Sequence, residues 1–204
     1  LFLYALMHLL NHSVTIISIE AAEFIRLNYF RSIWQNPLGL VLLYGSFIVH
    51  ILLGFYAILI KRSYKISLKE WLQILFPVLA LLVLLQHIAA SFILTKIFGG
   101  EETYPMIFSM MLYEPDELVA NMIFFSLMTI FIWSHGVIGI NALLKHQARN
   151  NRKFTFYTKY QFCFTFIYWF VPITAILGIY FGLREMSFLA QVKRLQHEGN
   201  LFLN

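Results

Sequence analysis

Histidine is the residue type that gives this sequence its chemistry. Five histidines lie inside otherwise uncharged hydrophobic segments: His8, His12, His50, His87 and His135. An imidazole in lipid needs a partner, and these five come from four separate segments, because only His8 and His12 share one. The pattern predicts ligands that converge on a group held between helices. A pair of b-type haems would use four of the five.

The composition predicts the class of protein. The 204 residues are 60% hydrophobic and 12% charged, and the mean hydropathy is +0.72. Crossing about 30 Å of hydrocarbon takes roughly 20 apolar residues, and five segments are long enough. The fold class is therefore predicted to be an all-α, integral membrane bundle of five transmembrane helices. The predicted spans are Leu1–Ile19, Leu38–Ile60, Trp71–Phe98, Leu118–Leu144 and Phe162–Leu183.

The loops predict the orientation. Two of them are basic, whereas the loops on the opposite side are balanced or acidic. Because cytoplasmic loops carry an excess of Lys and Arg, the amino end is predicted to be cytoplasmic. These loops also account for the net charge of +5, so nucleic-acid binding is not expected. The basic residues are Lys61, Arg62, Lys65 and Lys69 in one loop and Lys145, Arg149, Arg152, Lys153 and Lys159 in the other.

The odd number of predicted spans predicts the domain organisation. Residues 1–183 are expected to form the five-helix membrane domain. Residues 184–204 read as an amphipathic segment on the extracytoplasmic side, with Met186, Leu189 and Val192 on one face. Five crossings leave the carboxyl end outside. A cytoplasmic domain downstream would need a sixth helix, which we expect beyond residue 204.

Several kinds of chemistry have no motif in this sequence. It contains no glycine-rich phosphate loop, no nucleophile elbow and no cysteine cluster, since Cys163 is the only cysteine. Ion-coupled transporters place Asp, Glu, Lys or Arg at mid-membrane, and the predicted spans have none there. Histidine is the titratable group left in the hydrocarbon region, and no catalytic motif is predicted.

The depth of each histidine predicts how they pair. His135 lies about ten residues before the basic loop at Lys145, whereas His87 lies in the opposite half of its span, about eleven residues before Phe98. At about 1.5 Å per residue these two cannot share a metal. His50 is near mid-span and can reach His135. The predicted pairs are His50 with His135, and His87 with either His8 or His12.

Other residues could complete such a site. Gly54 and Gly139 follow His50 and His135 by one helical turn, which leaves room for a flat macrocycle or, equally well, for a close helix contact. His12 is a possible alternative ligand, or a partner for a haem propionate or a quinone. Gln86 and Ser134 could supply hydrogen bonds to the ligands, although helix-to-helix hydrogen bonds would also explain them.

The first span resembles a known family. The segment Met7–His12 reads MHLLNH and looks like the first helix of the five-helix, di-haem cytochrome b subunits of succinate dehydrogenases and fumarate reductases. In that family the first histidine of an H-x-x-x-H pattern is an axial ligand. His50 follows His8 by 42 residues, a spacing that also fits the family. The resemblance implies His8, His50, His87 and His135 as the axial ligands of two haems.

A closer resemblance is to the cytochrome b-type membrane anchors of bacterial class III adenylate cyclases. This resemblance implies that a further helix, a ferredoxin-like iron-sulfur domain and a cyclase domain follow this chain. It also implies that the parent polypeptide is an adenylate cyclase that dimerises through its output domain. The parent protein would then lie in the bacterial inner membrane. The similar segments are His8–His12, Ile17–Glu23, Trp34–Gly39, Leu42–Gly45, Lys61–Arg62 and Trp133–Gly136.

These observations predict a di-haem b membrane anchor that exchanges electrons with quinone and reports redox state to a cyclase. Bis-imidazole ligation leaves no open position on the iron, so electron transfer fits better than catalysis at the haem. One alternative is a respiratory cytochrome b subunit with a flavoprotein and iron-sulfur partner. The other is a haem-free structural anchor in which the histidines serve packing.

Overall fold

The computed structural model describes residues 1–60, 68–97, 99, 103–113, 115–150 and 161–201. All regular elements within these ranges are helical, as the composition predicts. Within these described ranges, four helices are long and apolar enough to cross a membrane: Pro37–Leu59, Trp71–Phe92, Leu118–Leu144 and Thr165–Gln191. They match the second to fifth predicted spans within a few residues, except that the last extends further. The protein is therefore an all-helical membrane protein with at least four candidate crossings.

The first predicted span is shorter than expected. Helix α1 runs Phe2–Val14, which is 13 residues, or about 20 Å of helix against about 30 Å of hydrocarbon. It ends in a turn at residues 15–18, where the Ser18 hydroxyl accepts a hydrogen bond from the Ala21 amide and so begins the next helix. The count of five crossings stays a prediction.

The segment after this turn, which the sequence indicated as a loop, is helical. Helix α2 (Ile19–Ile25), a π-helical turn (Arg26–Phe30) and helix α3 (Arg31–Trp34) follow one another without a break. This stretch runs back along α1, because the Tyr4 ring contacts both Phe30 and Trp34. Its buried residues, including Ala22 and Phe30, supply the apolar face that a solvated loop would lack.

Helix α4 (Pro37–Leu59) stands apart from the rest of the bundle. Asn36 caps it by accepting a hydrogen bond from the Gly39 amide at 2.9 Å, and Pro37 opens its first turn. Gly39 is the only buried residue of α4. Among the described residues, the only helix that packs extensively against α4 is the short α3. A space therefore separates most of α4 from its neighbours.

The remaining spans pack closely together. Helix α5 (Leu68–Phe92) continues into a π-helical turn (Ile93–Ile97) and packs against helix α7 (Pro115–Asn150). Helix α8 (Gln161–Leu201) packs against both α7 and α1. The most extensive contact in the bundle is between α1 and α8.

Small residues of α8 permit the contact with α1. A Cβ atom added at Gly178 would overlap with the carbonyl oxygen of His12, so the two backbones meet at this point. One turn earlier, Ala175 is fully buried, and the neighbouring Thr174 hydroxyl hydrogen bonds with that of Ser13 at 2.9 Å. The position of His12 thus depends directly on α8.

Helix α6 (Tyr104–Tyr113) occupies part of the predicted acidic loop between the third and fourth spans. Its buried side chains, Tyr104, Phe108 and Met111, pack in one cluster with Ile19 and Ile179. Helix α6 therefore packs over the end of the bundle where α1 turns into α2.

Two predictions about the ends of the spans have different outcomes. Helix α8 passes through residue 184 without interruption and continues to Leu201, so residues 184–201 of the predicted amphipathic segment are helical and are not a separate element. Its exit from the bilayer at residue 184 stays a prediction. The basic residues that carry the orientation argument lie outside the residues or side chains that the structure describes.

Candidate functional site

The structure brings His50 and His135 together. Their Nε2 atoms lie 3.4 Å apart, and their rings are inclined at 61°. His50 comes from α4 and His135 from α7, so the two imidazoles reach across the space between helices that otherwise stay apart. This is the pairing that the depths of the two residues in the sequence predict.

The separation of this pair can be compared with that of two imidazoles on one metal. A metal–imidazole bond is about 2 Å, so two nitrogens on opposite sides of one metal lie about 4 Å apart, whereas the observed 3.4 Å is shorter and also within reach of a direct hydrogen bond. A Cβ atom added at Gly54 or at Gly139 would have no neighbour within 4 Å. Within the described part of the chain neither glycine makes a close helix contact, and both lie at exposed positions.

His8, His12 and His87 form a second group, which we call the α1 cluster. The His8 and His87 rings are 6.3 Å apart, so the histidine of α5 approaches α1 as predicted. The Nε2 atoms of His8 and His12 are 3.2 Å apart, with the two rings nearly perpendicular at 80°. Of the two histidines of α1, His8 is the one whose ring pairs with the His87 ring among the described aromatic contacts, and the His87 ring also contacts Phe125 at 6.0 Å.

Tyr104 and Asn11 belong to this cluster, and the sequence did not indicate either. The Tyr104 hydroxyl lies 3.2 Å from Nδ1 of His12, and Asn11 donates to it from Nδ2 at 2.9 Å. Both residues are buried, with exposures of 3% and 5%. The sequence could have indicated Asn11, because it lies between His8 and His12 in the first predicted span. It could not have indicated Tyr104, because a tyrosine in a predicted loop has no pattern that points to a site.

The other proposed site residues differ in their surroundings. Gln86 is exposed, whereas Ser134 is buried next to His135. Trp133 is almost fully buried at 1% exposure and donates from its indole nitrogen to the Tyr168 carbonyl at 2.9 Å. This bond fixes the backbone that carries Ser134 and His135 against α8.

A charged pair lies next to Tyr104, outside the membrane-spanning segments. The Glu23 carboxylate accepts hydrogen bonds from the Arg26 guanidinium and from the Tyr104 amide, the latter at 3.2 Å. Burial acts to raise the pKa of Glu23, but the two hydrogen bonds and the Arg26 charge outweigh it and hold that pKa below its ordinary value. Burial also raises the pKa of the Tyr104 hydroxyl, which therefore keeps its proton at neutral pH.

The histidines form one pair and one group of three, and neither is placed as a self-sufficient metal site among the described residues. Within the described residues, no three His, Cys, Asp or Glu side chains are placed to hold a metal ion. Two imidazoles suit a metal whose other ligands come from a macrocycle. Neither a family model, nor a curated protein, nor a solved structure matches this chain.

Proposed function

We propose that this chain is a di-haem b membrane domain. His50 and His135 would hold one haem, and His8 and His87 the other. The observation that carries the proposal is the approach of His50 to His135 across a space beside Gly54 and Gly139. In a haem-free anchor the same two imidazoles would instead hydrogen bond to each other directly.

The proposed chemistry is one-electron transfer. Haem supplies a reversible Fe(III)/Fe(II) couple, and two axial imidazoles leave no position for oxygen to bind. The protein residues would orient the imidazoles: α1 is held by its contact with α8, and His135 by the Trp133 bond to α8. Two sites at different heights in the bundle suit electron exchange between quinone and the far side of the membrane.

We further propose that the electron carrier reports to an adenylate cyclase. This step depends on the resemblance of segments such as Ile17–Glu23 and Trp34–Gly39 to the membrane anchors of bacterial cyclases. The chain would then lie in the inner membrane with its amino end cytoplasmic, and dimerise through the cyclase. A respiratory cytochrome b subunit would instead co-purify with a flavoprotein and an iron-sulfur subunit.

The decisive experiment is an optical spectrum of protein purified from haem-replete membranes. A reduced-minus-oxidised b-type spectrum with about two haems per chain supports the proposal. A haem-replete preparation without this band would overturn it and leave the structural anchor. Reading the gene beyond the codon for Asn204 then tests the output, because a cyclase core is expected there and a respiratory operon with a flavoprotein gene would contradict it.

A further inference from the structure

An open groove of about 290 Å³ lies at the end of the bundle where α1 turns into α2. Part of its lining comes from the turn and part from α8. Thr15 is the buried residue of the lining, with 1% exposure, and its hydroxyl donates to the His12 carbonyl at 2.6 Å. The lining residues are Thr15, Ile16, Phe181, Arg184, Glu185 and Phe188.

The groove lies at the level where charge first appears on both of its segments. Here α8 meets the turn, because the Ile19 amide donates to the Glu185 carboxylate at 3.3 Å. Residues 1–19 and 165–183 contain no Asp, Glu, Lys or Arg, and a charged residue follows directly after each of these stretches. A charged side chain is costly in hydrocarbon and extends to the membrane surface. The groove therefore lies at the boundary between the hydrocarbon and the phospholipid headgroups.

Arg184 and Glu185 give the groove two charges of opposite sign that do not pair with each other. Neighbouring residues of a helix do not face one another. The one ion pair within the described ranges joins Glu23 to Arg26, so neither charge of the groove has a partner of opposite sign there. The Ile19 amide holds the Glu185 carboxylate beside the turn, whereas Arg184 is exposed. The groove thus presents a cation and an anion side by side at the membrane boundary.

We propose that this groove binds a phospholipid whose headgroup carries both a phosphate and a primary ammonium, as in phosphatidylethanolamine. The Arg184 guanidinium donates charge-assisted hydrogen bonds to the phosphate, a group that its planar fork matches. The Glu185 carboxylate accepts from the ammonium. The acyl chains begin against the exposed apolar side chains of the groove, which are Ile16, Phe181 and Phe188. This inference does not depend on the proposed haem function.

The two charges together select this headgroup over the other common types. Phosphatidylglycerol carries a phosphate but offers no cation to Glu185. Phosphatidylcholine carries both charges, but its methylated ammonium has no N–H to donate to the carboxylate. A primary ammonium has three donors. Both other lipids therefore leave the Glu185 carboxylate without a donor from the headgroup.

Competition among lipids tests the proposal on the wild-type protein. Delipidated protein is given equal amounts of the three phospholipids, and retained lipid is identified by native mass spectrometry. We expect one phosphatidylethanolamine to be held about tenfold more tightly than the other two, because a hydrogen bond to a charged group contributes about that factor. Equal retention of all three, or a preference for phosphatidylglycerol, would overturn the proposal. Displacement of the lipid by soluble phosphoethanolamine would do so too, since the site would then take a small solute.

Two substitutions separate the roles of the two charges. Glu185→Gln keeps an oxygen for the Ile19 amide, and it should lose most of the preference for phosphatidylethanolamine over phosphatidylcholine. Arg184→Gln should weaken the binding of all three lipids about tenfold. Glu20→Gln and Arg31→Gln change exposed charges outside the groove and should behave as the wild type.

Circular dichroism and thermal unfolding without added lipid check that each variant folds. A Glu185→Gln protein that folds and keeps the full preference would contradict the role of the carboxylate. A similar change in all four variants would mean that the preference follows the overall charge of the protein and not this groove, and it would also overturn the proposal.

Discussion

His50 and His135 lie with their Nε2 atoms 3.4 Å apart, although 85 positions separate them in the chain. On the proposed function, removal of either imidazole leaves the iron between them without an axial ligand. We expect His50→Ala and His135→Ala each to lose about half of the bound haem. The measurement is haem per chain from the pyridine haemochrome spectrum.

His146→Ala is the control for this prediction, because His146 is an exposed histidine on the same helix as His135. It should retain the full haem content. Equal loss in all three variants would show that histidine removal acts through general stability and not through ligation.

The space beside Gly54 gives a second prediction. Gly54→Leu places a large side chain where a Cβ atom meets nothing within 4 Å, so the chain should fold normally but lose the haem held by His50 and His135. Gly45→Leu is the matched control, since Gly45 lies on the same helix and is equally free of neighbours. Haem content measured beside circular dichroism checks the prediction, and retention of both haems in Gly54→Leu would count against a macrocycle at this position.

Gly178 gives a third prediction, about the contact between α1 and α8. A Cβ atom here would meet the His12 carbonyl oxygen, which is backbone and cannot move without the helix. We expect Gly178→Ala to destabilise the protein by about 1–3 kcal/mol and to weaken haem binding in the α1 cluster. Thermal unfolding in detergent is the measurement.

The control for Gly178 is the same substitution at an open position. Gly45→Ala replaces a helical glycine that has no neighbour, so it should be neutral or stabilise by up to about 1 kcal/mol. Equal effects of the two alanine substitutions would mean that the approach of α1 to α8 is not tight at Gly178.

Glu23 gives a fourth prediction, about pH. Its pKa in the folded protein lies below its ordinary value, so the carboxylate stabilises the fold above the unfolded-state pKa of about 4.3. This contribution is lost as the pH falls through the lower folded-state pKa. Glu23→Gln should therefore lower the melting temperature near neutral pH. The loss of unfolding free energy should be less than about 1 kcal/mol, because the Glu23–Arg26 pair is partly solvated.

The pH series provides its own check. The difference between Glu23→Gln and the wild type should shrink as both are acidified, because the wild-type carboxyl then becomes neutral as well. Glu20→Gln, at an exposed position of α2, is the matched control. A difference that stays constant at every pH would indicate that the Gln side chain disturbs packing and that the charge is not responsible.

The helical spans could be read from the sequence because an apolar run of about 20 residues has few other stable forms in a membrane. The pairing of His50 with His135 followed from the fixed rise of a helix, which converts sequence position into depth. The segment Ile19–Trp34 was not recognised as helix, because charges such as Glu23 and Arg26 interrupt its apolar pattern. Those charges are satisfied by each other and by the Tyr104 amide.

The α1 cluster was only half predictable for the same kind of reason. His8, His12 and His87 are conspicuous in apolar surroundings, whereas Tyr104 reaches His12 through the folding of α6. That folding depends on long-range burial of Phe108 and Met111, which no local pattern encodes. Sequence reasoning therefore finds the site residues that lie in the predicted spans and misses those, such as Tyr104, that lie in the segments connecting them.

The separation of α4 from its neighbours bears on biogenesis. Within the part of the chain that the structure describes, α4 packs extensively only against the short α3. On the proposed function, insertion of the cofactor would be the last step of maturation. Chains made during haem shortage would display a loose apolar helix to membrane proteases, and the cellular abundance of the protein would follow the supply of haem.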